Sequence, residues 1–249
     1  MNDAGALSLI IPVFNGAKFL AVKLEEISQW MMKSHQPIEL IIVNDGSSDG
    51  TRGVIADFVV KYGSLACTIV NLPENRGKGY AIREGFKRAR WPWVAFTDAD
   101  IPYGLEVLER MMGAVRADAS IYLLYGSRAH HDSGNIVDYG WIRRLGRYFF
   151  SIITTFFLTA DAADTNCGVK MFRSELTQLA ARVAVIDRFA FDMELFAIAR
   201  VNGWKYQDFP VQLTHRKESS VRLVVDTFLM LRDMVIIRWQ IRQDKYVRH

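Results

Sequence analysis

The first half of the chain is a regular alternation of two periodicities. Continuous apolar runs at Leu7–Val13, Ile38–Val43, Cys67–Leu72, Trp93–Thr97 and Ile121–Tyr125 read as strands buried on both faces. Between them, apolar residues recur at helical spacing: Leu20, Leu24, Ile27 and Met31; then Val54, Phe58 and Tyr62; then Ile82, Phe86 and Ala89; then Leu105, Leu108, Met112 and Val115. Strands alternating with helices predict an α/β chain, a Rossmann-like, mostly parallel sheet with helices on both faces. Such sheets bind ligands beyond the carboxyl ends of their strands. Here those ends carry Pro12-Val-Phe-Asn15, Asn44-Asp45-Gly46-Ser47, Asn75-Arg-Gly-Lys-Gly79 and Asp98-Ala-Asp100, so the polar punctuation falls on one edge. The second half is less regular. Trp141–Thr159 reads as one or two helices, Thr165–Phe172 as a turn and short strand, and Phe191–Val201 as a helix. Trp204–Leu213 then reads as a strand, and Val221–Gln243 as a long amphipathic helix.

Composition narrows the class. With half of its 249 residues hydrophobic and 23% charged, the chain can bury a sizeable core, which excludes general disorder. Two cysteines, Cys67 and Cys167, cannot build a disulfide framework or a Cys-rich zinc site, and point to a reducing, cytoplasmic setting. Met1-Asn2-Asp3 does not open a signal peptide. The longest strongly apolar charge-free run, Tyr148–Ala160, has 13 residues. A spanning helix needs about 20, so the chain is expected to lie on a membrane at most. The formal net charge is +4, and residues 216–249 alone hold eight Lys/Arg against four Asp/Glu. A basic tail on a neutral body suggests contact with an anionic surface or ligand.

Each strand end suggests chemistry. Two carboxylates one residue apart, Asp98 and Asp100, can hold a divalent cation whose shell is completed by substrate phosphates. Gly77, Lys78 and Gly79, between a strand and a helix, let backbone and a point charge approach an anion. Asp45 can accept hydrogen bonds from a base or ribose, and Ser47, Ser48 and Asp49 can cap the following helix. Gly46-Ser-Ser-Asp-Gly50 also fits the nucleophile elbow of hydrolases. No His-Gly-Gly oxyanion segment accompanies it, and that reading leaves Asp98, Asp100 and Lys78 unused. His130 and His131 are adjacent, with no evident third metal ligand.

Taken in order, these four strings resemble the family 2 inverting glycosyltransferases of the GT-A fold. Gly126-Ser-Arg-Ala-His130, Asp164-Thr-Asn-Cys-Gly-Val-Lys-Met-Phe172, Arg188-Phe-Ala-Phe-Asp-Met-Glu-Leu195 and Phe209-Pro-Val211 are similar to the polyprenyl- and dolichyl-phosphate glycosyltransferases, the glucose-transferring branch above all. The resemblance covers about Leu7 to Arg238. It implies a single catalytic domain over residues 1–215, with a donor half to about 127 and an acceptor half from 128, and a basic amphipathic segment over 216–249. Pro12, Phe14, Asn15 and Asp45 would form the nucleobase pocket. Gly77, Lys78 and Gly79 would approach the nucleotide, and Arg216 and Ser220 would close over the diphosphate. Asp98 and Asp100 would bind Mg²⁺ or Mn²⁺. Arg128, with Arg143 and Arg144, would hold the acceptor phosphate. Asp192, near Glu194, stands where relatives carry an acidic base, and here it either accepts a proton or only positions substrate.

Two departures stand out. Gly16 replaces the glutamate common after the first string, and Pro102 replaces a glutamine that mannose-transferring relatives often carry. The implied reaction moves a hexose, glucose from UDP-glucose in the preferred reading, to a polyprenyl or dolichyl phosphate. Mannose from GDP-mannose is one alternative, and a non-catalytic nucleotide-sugar binding module another. No nucleic-acid partner is expected. An aromatic-rich stretch, Phe149 to Leu158, behind Arg143, Arg144 and Arg147 suits a peripheral contact on the cytoplasmic membrane face. The C-terminal helix could pack on the sheet, join a second subunit in a homo-oligomer, or touch the bilayer.

Overall fold

The computed structural model describes residues 5–128, 130, 167–188, 190–213 and 223–248, with the backbone alone for 223–228. Seven strands form one sheet: β1 (Leu7–Val13), β2 (Ile38–Asn44), β3 (Cys67–Asn71), β4 (Trp93–Thr97), β5 (Ile121–Ser127), β6 (Val169–Arg173) and β7 (Lys205–Pro210). The helices are α1 (Leu20–Lys33), α2 (Thr51–Lys61), α3 (Lys78–Phe86), α4 (Glu106–Ala117), α5 (Ser174–Val183), α6 (Phe191–Val201) and α7 (Leu223–Arg242).

The strand order is β3-β2-β1-β4-β6-β5-β7. Pairing is parallel everywhere except around β6, which runs antiparallel to both neighbours. The predicted strands all form. The sequence reading passed over α5, although Leu176, Leu179 and Ala180 are spaced as on one helix face and are buried.

Two cores sandwich the sheet. On one face α1, α2 and α4 cover Leu9, Ile11, Leu40 and Ala95. On the other, α3, α5, α6 and α7 cover Ile10, Ile41, Val94, Phe96 and Phe172. At Gly85 of α3, an added Cβ would lie 2.6 Å from the Ile10 side chain, so the absent side chain lets this helix sit close on β1. The tail is part of the second core, through Met234, Ile237 and Tyr246.

At the amino edge of the sheet, Glu39 of β2 is buried and fully partnered. It accepts hydrogen bonds from Ser8 Oγ (2.6 Å), Arg90 N–H (2.8 Å) and Arg90 Nε (2.8 Å). This fastens the α3–β4 connection under the first two strands. Glu39→Ala should lower unfolding stability by about 2 kcal/mol, because it strands the buried Ser8 hydroxyl and removes the acceptor of the Arg90 N–H. Urea denaturation would read this loss.

Candidate active site

Asp45 directly follows β2, and its carboxylate organises the loop between β3 and α3. It accepts hydrogen bonds from Arg76 N–H (2.8 Å), Gly77 N–H (2.8 Å) and Asn75 Nδ2 (3.0 Å). The group expected to meet a base or ribose is thus buried and engaged by backbone. Gly77 has φ +107°, and a Cβ there would lie 2.6 Å from the Asp187 carbonyl oxygen. At Gly79 it would lie 2.5 Å from Phe191 Cβ. Only glycines allow α3 to start this close to the 186–191 segment.

The neighbouring strand end is laced to β2. Asn15, at φ +51°, donates its N–H to Ser47 Oγ (2.9 Å) and accepts Ser48 N–H on Oδ1 (2.9 Å). Asn tolerates this left-handed conformation better than most residues. The serines expected to cap α2 therefore hold β1 instead, because α2 starts after Gly50 with no side-chain cap. Asp49 accepts the N–H groups of Thr51 (3.0 Å) and Ala17 (3.1 Å) and joins both elements. Phe14 stands 48% exposed beside them, and Pro12 is partly buried.

α3 begins at Lys78, which points along the edge to β4. Its Nζ lies 2.6 Å from Asp98 Oδ1. Burial would lower the lysine, but the charges of Asp98 and Asp192 outweigh it and Lys78 is pushed up to about 12. Asp98 donates its N–H to the Gly168 carbonyl (3.2 Å) at the start of β6. A Cβ at Gly168 would lie 2.4 Å from Asp98 Oδ2, so the missing side chain lets the carboxylate pack close to the backbone before β6. Asp100 sits half-buried in the turn that follows, ahead of Ile101 at φ +49°. A β-branched residue there is strained, and such strain gathers at functional sites.

A buried lysine escaped the sequence reading. Lys170 of β6 has no exposed surface; its Nζ contacts Asp192 Oδ1 (2.7 Å) and the Cys167 carbonyl (2.8 Å). The signal was available: a lysine inside an apolar strand must find an anion. Lys170 and Lys78 both sit over the Phe96 ring, at 5.3 and 5.4 Å. Two lysines and the acids Asp98 and Asp192 thus form one cluster across β4, β6 and the start of α6.

Glu194, two residues beyond Asp192, faces elsewhere. It accepts the N–H groups of Val185 (2.9 Å) and Ile186 (3.0 Å) and the Tyr246 hydroxyl (2.5 Å). Burial pushes its carboxyl up, against the pull of these donors. Glu194 therefore shapes the segment that packs on Gly77 and Gly79.

Arg128 directly follows β5, two strands along from β4, or about 10 Å at the usual strand spacing. Arg143, Arg144, Arg216 and Ser220 lie outside the described residues, as does the 141–159 segment. The edge thus joins Pro12, Phe14, Asn15, Asp45, Gly77, Lys78, Gly79, Asp98, Asp100 and Asp192 along adjoining strands. Asp98 and Asp100 have the chemistry for a hard divalent cation: they are oxygen donors, and one Asp98 oxygen already accepts a cationic ammonium. Among the described residues no cluster of three or more His, Cys, Asp or Glu could hold a metal.

An α/β sheet that brings a carboxylate pair and a lysine at a helix start to one edge has the parts to bind a metal ion and an anionic ligand. The Glycosyl transferase family 2 model matches residues 8–179, and the chain belongs to that family. It is 29% identical to human dolichyl-phosphate beta-glucosyltransferase over 96% of this chain and 79% of the relative. To the Saccharomyces cerevisiae enzyme of the same name it is 27% identical, over 93% and 74%. Among solved structures, Mycobacterium tuberculosis glucosyl-3-phosphoglycerate synthase with Mn²⁺, UDP-glucose and glycerol 3-phosphate superposes with a TM-score of 0.66. The identity there is 15%, covering 93% of this chain and 78% of that one. Staphylococcus aureus TarS 1-349 with UDP-GlcNAc gives 0.60 at 16% identity, over 93% and 66%. The fold is the GT-A arrangement, and the chain is a glycosyltransferase.

Tyr246→Phe removes one of the three donors to Glu194. A carboxyl whose folded pKa is raised contributes fully to stability below its ordinary value of 4.5, and less as pH rises through the folded value. The variant raises the folded value further. It should lose about 1–2 kcal/mol at pH 7 and markedly less at pH 4, in urea melts at both values. An equal loss at both would mean that Glu194 is not ionised at pH 7.

Proposed function

We propose that this glycosyltransferase moves glucose from UDP-glucose to a polyprenyl or dolichyl phosphate, with inversion, giving a β-glycosyl phosphate lipid. The observation that carries the reading is the Lys78–Asp98 contact beside Asp100. It joins a cationic helix start and a carboxylate pair where a nucleotide diphosphate would lie. The substrates are supported by the human and yeast relatives, named as dolichyl-phosphate beta-glucosyltransferases, and by neighbours holding UDP-glucose with Mn²⁺.

The parts then take roles. Pro12 and the exposed Phe14 offer apolar surface to a nucleobase, with Asn15 at their end and Asp45 holding the loop beside them. The glycines at 77 and 79 bring backbone, and Lys78 a permanent positive charge, to the diphosphate. Asp98 and Asp100 would hold Mg²⁺ or Mn²⁺, which when bound supplies charge neutralisation for the departing nucleoside diphosphate. Arg128, with Arg143 and Arg144, binds the acceptor phosphate, while Arg216 and Ser220 cover the donor. A peripheral membrane contact would bring the lipid within reach.

A phosphate monoester has its second pKa near about 6 and reaches the site already anionic at pH 7. Its oxygen attacks the anomeric carbon from the face opposite the diphosphate, and the α-linked donor becomes a β-linked product. No proton has to be removed, so Asp192, held by Lys170, positions the sugar and need not act as a base.

A panel of radiolabelled nucleotide sugars with a short polyprenyl phosphate tests the reading. UDP-glucose should give an organic-soluble glycolipid, and nucleotide binding without any turnover would leave only a binding module. Asp100→Ala should abolish transfer, a loss of at least about 10³-fold, while thermal unfolding stays the same. Arg128→Ala should raise KM for the lipid phosphate by about tenfold or more, with little change for UDP-glucose. The reverse pattern would remove Arg128 from the acceptor site.

A further inference from the structure

One side of α7 has no role in the reading above. Asp233, Met234 and Ile237 are buried against the body. Facing out are Leu231, Val235 and Trp239, exposed by 36%, 58% and 56%. Their spacing of four places them on one stripe along the helix. Single exposed apolar residues are ordinary, but an aligned row of three ending in tryptophan is not. The surrounding charge is mostly positive. From residue 230 to 248 the chain carries Arg232, Arg238, Arg242, Lys245 and Arg248 against Asp233 and Asp244, and Asp233 is buried.

Beside the middle of this helix opens a cleft of about 260 Å³. Arg76, Asp187 and Arg188 line it on the body side, and Arg232, Asp233 and Ile236 on α7. Its acids already have cations. Asp187 pairs with Arg83 and Arg76, and Asp233 with Arg232 (2.7 Å). Arg188 is exposed and has no carboxylate partner among the described residues, so the cleft keeps excess positive charge. Its volume equals roughly nine waters of liquid, room enough for a phosphate head group.

We propose that the outer stripe of α7 and this arginine-rimmed cleft form one docking surface for an anionic phospholipid bilayer. Leu231, Val235 and Trp239 enter the boundary between head groups and acyl chains, and the cleft receives a lipid phosphate. α7 is apolar on its buried side as well, so what it offers a bilayer is the exposed stripe itself: a tryptophan and two aliphatic side chains with arginines beside them can enter the interface in this way, and each nearby cation adds attraction to an anionic leaflet. The cleft shares Asn75 and Arg76 with the loop that Asp45 holds, so docking would set the donor edge close to the lipid surface. This inference deepens the lipid-acceptor reading by naming the surface through which the chain meets the membrane.

Vesicle flotation tests it. The full chain should float with phosphatidylcholine vesicles containing roughly a third phosphatidylserine, stay below with phosphatidylcholine alone, and be released by high salt. Val235→Asp should weaken flotation by about tenfold or more, as should Arg188→Glu, with thermal unfolding unchanged in both. Failure of the wild-type chain to bind anionic vesicles overturns the proposal, as does full binding by Val235→Asp. A water-soluble short polyprenyl phosphate separates the two readings. Val235→Asp should glycosylate it at the wild-type rate, and a loss of that rate would place Val235 in the transfer site and count against a docking role. If the wild-type chain makes no glycolipid from this acceptor yet floats as expected, the transfer reading fails and the docking surface stands.

Discussion

The carboxylate of Asp45 fixes the geometry on which the rest of the site depends. A buried anion at a strand end must be satisfied, and here it is satisfied by loop N–H groups from Asn75 to Gly77. That requirement sets the course of the loop, and the course of the loop demands a residue at Gly77 that tolerates φ +107°. Only then does α3 begin at Lys78, with its ammonium at Asp98. The contact between the two halves of the edge thus follows from one hydrogen-bonded acid two strands away. The cost of arranging these groups is met during folding, as a preorganised site requires.

A second buried acid supports the same loop from below. Glu194 gathers the N–H groups of Val185 and Ile186, and the next residue, Asp187, pairs with Arg83 and accepts the Tyr80 N–H through its carbonyl. That carbonyl is the atom on which any side chain at Gly77 would collide. Tyr246, near the end of the chain, completes the set through its hydroxyl. The C-terminal segment is therefore connected to the donor loop through a short series of hydrogen bonds, and it helps set where that loop can lie.

Much of this was legible in the sequence, and the exceptions have physical causes. Strands β1 to β5 announced themselves because burial on both faces leaves uninterrupted apolar runs, and their ends marked the functional edge. The antiparallel insertion of β6 between β4 and β5 could not be read, because strand order depends on contacts between distant parts of the chain. Helix α5 was passed over although Leu176, Leu179 and Ala180 carry the helical spacing. Ser47 and Ser48 have the chemistry of helix caps, but the nearby Asn15 competed for them and won. Asp192 and Glu194 looked like one acidic pair. Residues two apart on a helix point about 200° away from each other, so the pair had to divide between two tasks.

That division bears on the chemistry. Asp192 lies 2.7 Å from the wholly buried ammonium of Lys170, so one of its carboxylate oxygens is committed to that contact. The lysine in turn cannot leave, because its other contact is the Cys167 carbonyl inside the fold. Such a fixed ion pair is well suited to holding a polar ligand in one orientation. A nucleophile that arrives with its negative charge already in place needs cations for binding and no base at all. With a phosphate acceptor, as proposed, the Lys170–Asp192 pair is left to orient the sugar.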